Sequence, residues 1–373
     1  MEPRDYRKEL EELYLTLCTI PAPTGKEDAR IEFISNWYAE NGLLNLEIDT
    51  EGNVLYSFGV KAYNDINLIT AHMDTVFPMD TVLETNIKDN KVYCPGCGDN
   101  TVNLAIMMMA VKYLDSIGFN PETGYVFAAD ICEEGNGNLR GVKAILKHFG
   151  SRVVNLSALD LDYGTIINKA VGSRRFNISV KTKGGHSYHD FGSPNAIATS
   201  ADIIKSIYSQ FIPDKGITTF NVGTIQGGTS VNSIAASAEF SYEIRSDLQE
   251  NIDLLTQMFE EIIKLYDSET EHVSYEIIGE RPCMGFVNSE MQKALTDKVY
   301  SAYGNGGWDE AGYTDVSYKE TDGSTDCNAS FALGIPSVCF GLAVSGGHHS
   351  LEEWTDLNSL VPGLKTLIDY VTS

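Results

Sequence analysis

At 373 residues the chain is longer than one hydrophobic core usually serves, so two domains are expected. A hydrophobic content of 43% against 21% charged residues suits a folded globular protein rather than a disordered one. The formal net charge of -25 argues against nucleic acid and against an anionic membrane surface as partners, because both would repel it.

The start, Met1-Glu2-Pro3-Arg4-Asp5, is charged and leads into an amphipathic helix pattern over 6–18 (Leu10, Leu13, Leu15, Leu17). It has no apolar leader, and no run of about twenty apolar residues follows, so the expected location is the cytoplasm, with no membrane span. A second helix is predicted over 25–41, then strands over 45–49, 54–58 and 66–70. Residues 101–117 read as a largely buried helix, and 124–131 and 153–160 as strands. This alternation is the signature of an α/β sheet.

The texture changes near Ala170. Residues 174–183 alternate as an amphipathic strand, with Phe176, Ile178 and Val180 on one face. A helix at 194–211, strands at 217–226 and 235–246, a helix at 249–267 and a strand at 272–279 follow. That β-α-β-β-α-β order matches a split βαβ, ferredoxin-like unit. After Pro282 the first texture resumes. The predicted organisation is therefore a discontinuous α/β domain of residues 1–170 and 283–373, a mixed sheet flanked by helices. An α+β domain, 171–282, is inserted in it.

Seven cysteines are spread along the chain, and the single Cys94-x-x-Cys97 has no second pair at finger spacing. Free thiols in a reducing compartment are expected rather than a disulfide scaffold.

Five clusters of acids and histidines follow apolar runs or glycines. Thr70-Ala71-His72-Met73-Asp74-Thr75 closes the 66–70 strand, with His72 and Asp74 two residues apart and so on one side. Cys97-Gly98-Asp99-Asn100 precedes the 101–117 helix; Asp99 there suits a helix cap as well as a metal. Cys132-Glu133-Glu134-Gly135 puts two adjacent carboxylates beyond a strand, either as solvated loop acids or as a ligand and a base. Asp160 and Asp162 alternate with leucine, and His348-His349 follow Gly346-Gly347. Together His, Asp and Glu from five places could form a shared-carboxylate site for two divalent ions, which zinc accepts. Two such ions about 3.5 Å apart can hold a hydroxide between them, and a neighbouring Glu can serve as base.

In this order, along nearly the whole chain, these motifs resemble the dizinc peptidase family of peptidase T (tripeptidase), glutamate carboxypeptidase and aminoacylase-1. The branch most like this chain is that of peptidase T. The resemblance implies a zinc-exopeptidase-like catalytic domain with an inserted lid and dimerisation domain. By it His72, Asp99, Glu134, Asp160 and His349 would bind two divalent ions, with Asp99 bridging. Zinc is expected, with cobalt or manganese as alternatives. Asp162 competes with Asp160, because the family's following Gly-rich turn is shortened here. His349 fits the family's last ligand, with an acid four residues on and an aromatic next (Glu353, Trp354). His348 would break that spacing.

Asp74 would orient the His72 imidazole and Glu133 would be the general base. Gly184-Gly185-His186-Ser187 resembles the lid motif whose His binds the substrate carbonyl or oxyanion, often across a dimer interface. Asn232 and Arg245 match the lid's substrate-side residues, Arg245 as a two-pronged partner for a peptide carboxylate; a surface ion pair is the plainer use of that arginine. Gly323-Ser324-Thr325-Asp326, before Gly334-Ile335-Pro336, matches a segment that supports the site wall. Cys97 departs from the family, which has a small residue there; the thiol would either disturb metal loading or lie inert and buried.

The implied function is a zinc-dependent exopeptidase acting on short peptides, of di-/tripeptidase or carboxypeptidase type, through a metal-bridged water and a Glu base. A homodimer through the lid domain would be compatible with it. An N-acyl amino acid amidohydrolase would use the same chemistry with a different pocket. A non-catalytic metal-binding scaffold of the same fold is the reading from another class.

Overall fold

The computed structural model describes residues 6–61, 64–314 and 318–373, so the charged start Met1–Asp5 lies outside the described residues. The chain divides into two compact units, Met1–Ala170 with Gly285–Ser373, and Val171–Met284.

The first unit begins with α1 (Arg7–Cys18), α2 (Asp28–Glu40), β1 (Leu46–Ile48), β2 (Val54–Phe58), β3 (Ile66–His72), β4 (Asn86–Lys88) and β5 (Lys91–Tyr93). Then come α3 (Asn103–Ser116), β6 (Gly124–Asp130), α4 (Arg140–Phe149), β7 (Val153–Leu159) and β8 (Thr165–Ala170). The second unit holds β9 (Gly172–Thr182), β10 (Gly185–His186), α5 (Ala196–Ile207), β11 (Thr218–Gly227), β12 (Ser233–Ile234), β13 (Ser237–Ser246), α6 (Gln249–Tyr266) and β14 (Glu271–Arg281). The first unit resumes with α7 (Ser289–Asn305), β15 (Lys319–Gly323), α8 (Cys327–Phe331), β16 (Ser337–Phe340), β17 (Ser345–Gly346), β18 (Trp354–Asp356) and α9 (Leu360–Thr372).

An eight-stranded mixed sheet, ordered β1-β2-β6-β3-β7-β16-β8-β15, organises the first unit. Its centre, β6-β3-β7-β16, is parallel. Parallel strands are covered on both faces and read as near-continuous apolar runs, as Ile66–Ala71 does. The helix α3 is buried all round from Leu104 to Val111. It packs with α1 and α9 and against the central strands. Because the four central strands point the same way, their carboxyl ends gather on one edge, where open α/β sheets bind ligands. A smaller antiparallel sheet, β17-β18-β5-β4, lies in the same unit.

The second unit is an antiparallel sheet ordered β11-β13-β9-β14, with α5 and α6 packed on it. Phe176, Ile178 and Val180 of β9 face its core, as their alternation predicts. The strand order is that of a split βαβ unit.

Some differences from the predicted elements lie at helix ends, and α4 and β8 were not among those predicted. The α2 helix starts at Asp28 rather than residue 25, because Gly25 takes a left-handed φ of 81° and the Glu27 side chain accepts its N–H. The α5 helix starts at Ala196, where the extended Asn195 caps the Ile197 N–H with its side chain. The three-residue strands of the small sheet were not foreseen; so few residues carry no legible period. Among the described residues no helix is long and apolar enough to cross a membrane.

Candidate metal centre

The site is built at the carboxyl ends of β3, β6 and β7. Beyond His72 the chain is pinned by two main-chain contacts: Met73 N–H donates to the Asp130 carbonyl at 2.7 Å, and Arg30 donates to the Met73 carbonyl at 2.8 Å. Arg30 is fully buried and also caps the carbonyls of Leu17 and Ile20. Burial lowers its guanidinium to about 10.

His72 Nδ1 lies 3.1 Å from the Asp74 backbone carbonyl and 3.4 Å from its carboxylate. Both are acceptors, so Nδ1–H is directed at Asp74 and Nε2 is the ring nitrogen left to face a cation. The Asp74 carboxylate, fully buried, does a second job. It accepts the N–H of Glu133 and of Glu134, each at 3.0 Å, and the Thr24 hydroxyl at 2.8 Å. Glu27 accepts the Cys132 N–H at 3.2 Å, so two buried acids hold the 132–134 turn. Both glutamates are themselves buried, Glu133 at 5% and Glu134 at 8% exposure, which removes the solvated-loop explanation for them.

The remaining groups meet around His72. Its Nε2 lies 3.2 Å from Asp99 Oδ1 and 4.0 Å from Asp160 Oδ1. The other Asp99 oxygen, Oδ2, lies 3.1 Å from His349 Nε2, and His349 Nε2 lies 2.9 Å from Glu134 Oε1. Asp99 thus offers one oxygen to each histidine, and its side chain does not cap α3. Potential ligand atoms of His72, Asp99 and Glu134 all lie within 4.8 Å of one another.

The sequence left Asp160 and Asp162 open and favoured His349 over His348. Asp160 faces the cluster, whereas Asp162 accepts the Ser345 N–H at 3.1 Å and the Ser345 hydroxyl. His349 faces the cluster, whereas His348 Nε2 sits 2.9 Å from Ser345 Oγ and 3.5 Å from Asp162. Cys97 is buried, with Sγ 3.7 Å from the Val92 carbonyl; burial first, then Glu353, pushes its thiol to about 12. A buried thiol held protonated in this way fits the inert alternative.

Does this donor set fit cations? Burial alone would depress the His72 imidazole, yet Asp74 and Asp99 hold it well above its ordinary value. Hydrogen bonds that His349 donates to the Asp99 and Glu134 carboxylates raise it to about 10. Burial, then repulsion from Asp99, pushes Asp160 up to about 7. Three carboxylates and two imidazoles therefore crowd one space and borrow protons as countercharge. His72 Nε2 is buried and has no aligned hydrogen-bond partner among the described residues. An orphaned imidazole nitrogen facing several carboxylates is what a site for divalent cations requires, and nitrogen with oxygen donors suits zinc.

Sequence reasoning missed a second acid pair. Asp130 ends β6 directly beside His72 in the register and, like Asp326, is buried. Both Asp130 oxygens and Asp326 Oδ1 have no donor among the described residues; Thr70 donates to Asp326 Oδ2 at 2.9 Å. Burial, then the neighbouring Asp326 charge, holds the Asp130 carboxyl well above its usual range. The available signal was an Asp closing an otherwise apolar strand.

A cavity of about 720 Å³ lies beside the glutamate turn, lined in part by Thr24, Thr75, Phe77, Cys132 and Arg140.

In the second unit, His186 and Asn232 come together: β10 pairs with β12, and Ser187 N–H donates to the Asn232 carbonyl at 3.1 Å. His186 Nδ1 accepts the N–H of Tyr188 at 3.2 Å and of His189 at 3.4 Å, which leaves Nε2–H as an exposed donor. Arg245 is not with them. In β13 it pairs with Ser173, while Ser237, near the His186 end, pairs with Lys181. Eight strand residues separate those positions, about 26 Å. Arg245 Nε is bound to Glu243 at 2.9 Å. Asn232 and Arg245 of one chain are therefore not brought together in this unit.

Residues 68–373 match the profile of Peptidase family M20/M25/M40. A probable carboxypeptidase of Emericella nidulans is 23% identical over 263 residues, 62% of this chain and 61% of that protein. The chain thus spans about three fifths of the length of that curated relative. Among solved structures, a tripeptidase of Staphylococcus aureus superposes with a TM-score of 0.74 at 20% identity, covering 98% of this chain and 97% of the other. A dinuclear metal-binding peptidase of the M20 family from Bacillus subtilis gives 0.64 at 16% identity, covering 98% of each chain. At these identities the likeness speaks for the fold.

Proposed function

The chain belongs to Peptidase family M20/M25/M40, and from that premise we propose that it is a metal-dependent exopeptidase of short peptides. The observation that carries the reading is the meeting of His72, Asp99, Glu134, Asp160 and His349 beside the buried Glu133. These five residues would hold two divalent ions, zinc first and cobalt or manganese as alternatives, with Asp99 between them. When bound, the ions would supply Lewis acidity to a substrate carbonyl and to an attacking water.

The chain's own residues supply the rest. Glu133, its backbone held by Asp74, would take the proton from the attacking water and return it to the leaving amine. Asp74 keeps the proton of His72 on Nδ1, so that Nε2 stays a donor of electrons. His186, with Nε2–H exposed, would stabilise the developing oxyanion. Arg245 and Asn232 would hold a terminal carboxylate, and the cavity beside the glutamate turn has room for a side chain.

The separation of Arg245 from His186 and Asn232 favours assembly from two copies. The strand β11 is an outer strand of its sheet, and Ile217 before it and Ile225 within it are exposed. The reading is a homodimer formed along this edge, with the inserted unit acting as lid. A reducing, cytoplasmic setting suits seven free cysteines.

The test is a substrate screen of the zinc- or cobalt-loaded protein against tripeptides, dipeptides and N-acetyl amino acids. Turnover of peptides supports the reading. Turnover of acyl amino acids alone favours the amidohydrolase. No turnover of any substrate after metal addition favours a scaffold.

A further inference from the structure

Glu353 is an acid with no solvent access. Its carboxylate accepts three backbone N–H groups: Gly96 on Oε2 at 3.0 Å, and Gly98 and Asp99 on Oε1 at 2.7 Å each. A carboxylate at the convergence of several N–H groups is held in one place and holds them in return. These donors belong to the loop that delivers Asp99.

The main chain repeats the attachment. Cys94 N–H donates to the Glu353 carbonyl at 3.1 Å, and Trp354 pairs with Tyr93 where β18 meets β5. The far side of the loop is closed as well. A Cβ on Gly98 would lie 2.8 Å from Ser345 Cβ and 3.2 Å from Glu353 Oε1, so the loop is gripped between Ser345 and Glu353. Ser345 is in turn held by Asp162 and His348.

Glu353 also closes the turn that presents His349. Ser350 N–H donates to the Gly347 carbonyl at 3.1 Å, and Glu353 N–H to the Ser350 carbonyl at 3.3 Å. One residue therefore ends the His349 turn and grips the Asp99 loop, although it lies 254 positions from Asp99.

We propose that Glu353 is a positioning residue that fixes Asp99 between His72 and His349 and so sets the affinity of the centre for its bridged ions. This rests on the metal reading of the site. The alternative is that Glu353 is an ordinary core brace whose loss weakens the fold without acting on Asp99.

Two variants separate these. Glu353→Gln keeps one oxygen for Gly98 and Asp99 but turns an amide N–H toward the Gly96 N–H. Glu353→Ala removes every acceptor. The experiment is a calorimetric titration of chelator-treated wild type, E353Q and E353A with zinc, each with and without Asp99→Asn, with a thermal melt in chelator to verify folding. The wild type is expected to take up two ions. E353Q is expected to weaken uptake by about tenfold, the lower end for groups that orient ligands, and E353A by more. In the Asp99→Asn background E353Q is expected to cost nothing further, because its effect passes through Asp99.

Unchanged affinity in a folded E353Q overturns the proposal, and so does the same tenfold loss with and without Asp99→Asn. If E353A does not fold, E353Q decides alone. A wild type that binds no zinc overturns the metal reading and this inference with it, an outcome visible before any variant is made.

Discussion

The two units hold their candidate residues in opposite ways. At the strand ends of the first unit, His72, Asp74, Glu133, Glu134 and Asp160 are buried, and each segment is tied to another by a carboxylate accepting backbone N–H groups. In the second unit His186 and Asn232 are exposed, and Arg245 sits about eight residues away along the sheet. One region is pre-organised by its own chain; in the other, Arg245 stands apart from His186 and Asn232. Groups that must carry charge in a fixed geometry are braced before any ligand arrives. Groups that grip a substrate can wait for a second chain.

The largest effect expected on the braced side is Glu133→Gln. It should lower kcat by about 10²- to 10⁴-fold, the usual contribution of a general base, while metal content stays unchanged. Elemental analysis with steady-state kinetics checks both halves; retained turnover would remove Glu133 from the role of base. Next, Asp74→Ala releases the His72 ring and both glutamate N–H groups at once. Metal affinity should fall by about 10- to 100-fold, measured by competition with a chromophoric chelator. His72→Ala should empty one ion position outright.

The incomplete side is tested by mixing. His186→Ala and Arg245→Ala should each be nearly inactive alone. Co-refolded in equal amounts, they should regain about a quarter of the wild-type sites, because half the dimers then hold one intact site of two. No recovery on mixing would mean that each copy builds its own clamp.

The smallest effect concerns Asp130 and Asp326. Folding raises the Asp130 pKa, so the pair's contribution is fully present below the unfolded carboxylate value, about 4, and is lost as pH rises through the folded value. Asp130→Asn keeps a donor toward Asp326 but removes the titration. Denaturant midpoints of the chelator-treated protein across about pH 4 to 8 should then decline less steeply than in the wild type.

Much of this was legible in sequence for a physical reason. Strands buried on both faces write uninterrupted apolar runs, so polar residues just beyond them, such as His72 and Glu133-Glu134, stand out. The strand and helix order of the second unit followed from plain alternation. Local pattern could not choose between Asp160 and Asp162, because the two acids differ only in where the turn aims them, whereas the spacing to Glu353 and Trp354 already favoured His349 over His348. The braces were illegible altogether. Arg30 reaching the Met73 carbonyl, Glu353 reaching the Asp99 loop and Asp130 lying beside His72 all depend on which strands become neighbours. The separation of Arg245 from Asn232 was hidden for the same reason: the register of β13 against β9, not spacing in sequence, sets it.

A crystal structure of the zinc-loaded protein, with anomalous scattering recorded at the zinc edge, tests the braced centre most directly. Two zinc peaks are expected, one on His72 and Asp160 and one on Glu134 and His349, with Asp99 contributing one oxygen to each. A single peak, or two peaks with Asp99 bound to neither, would contradict it.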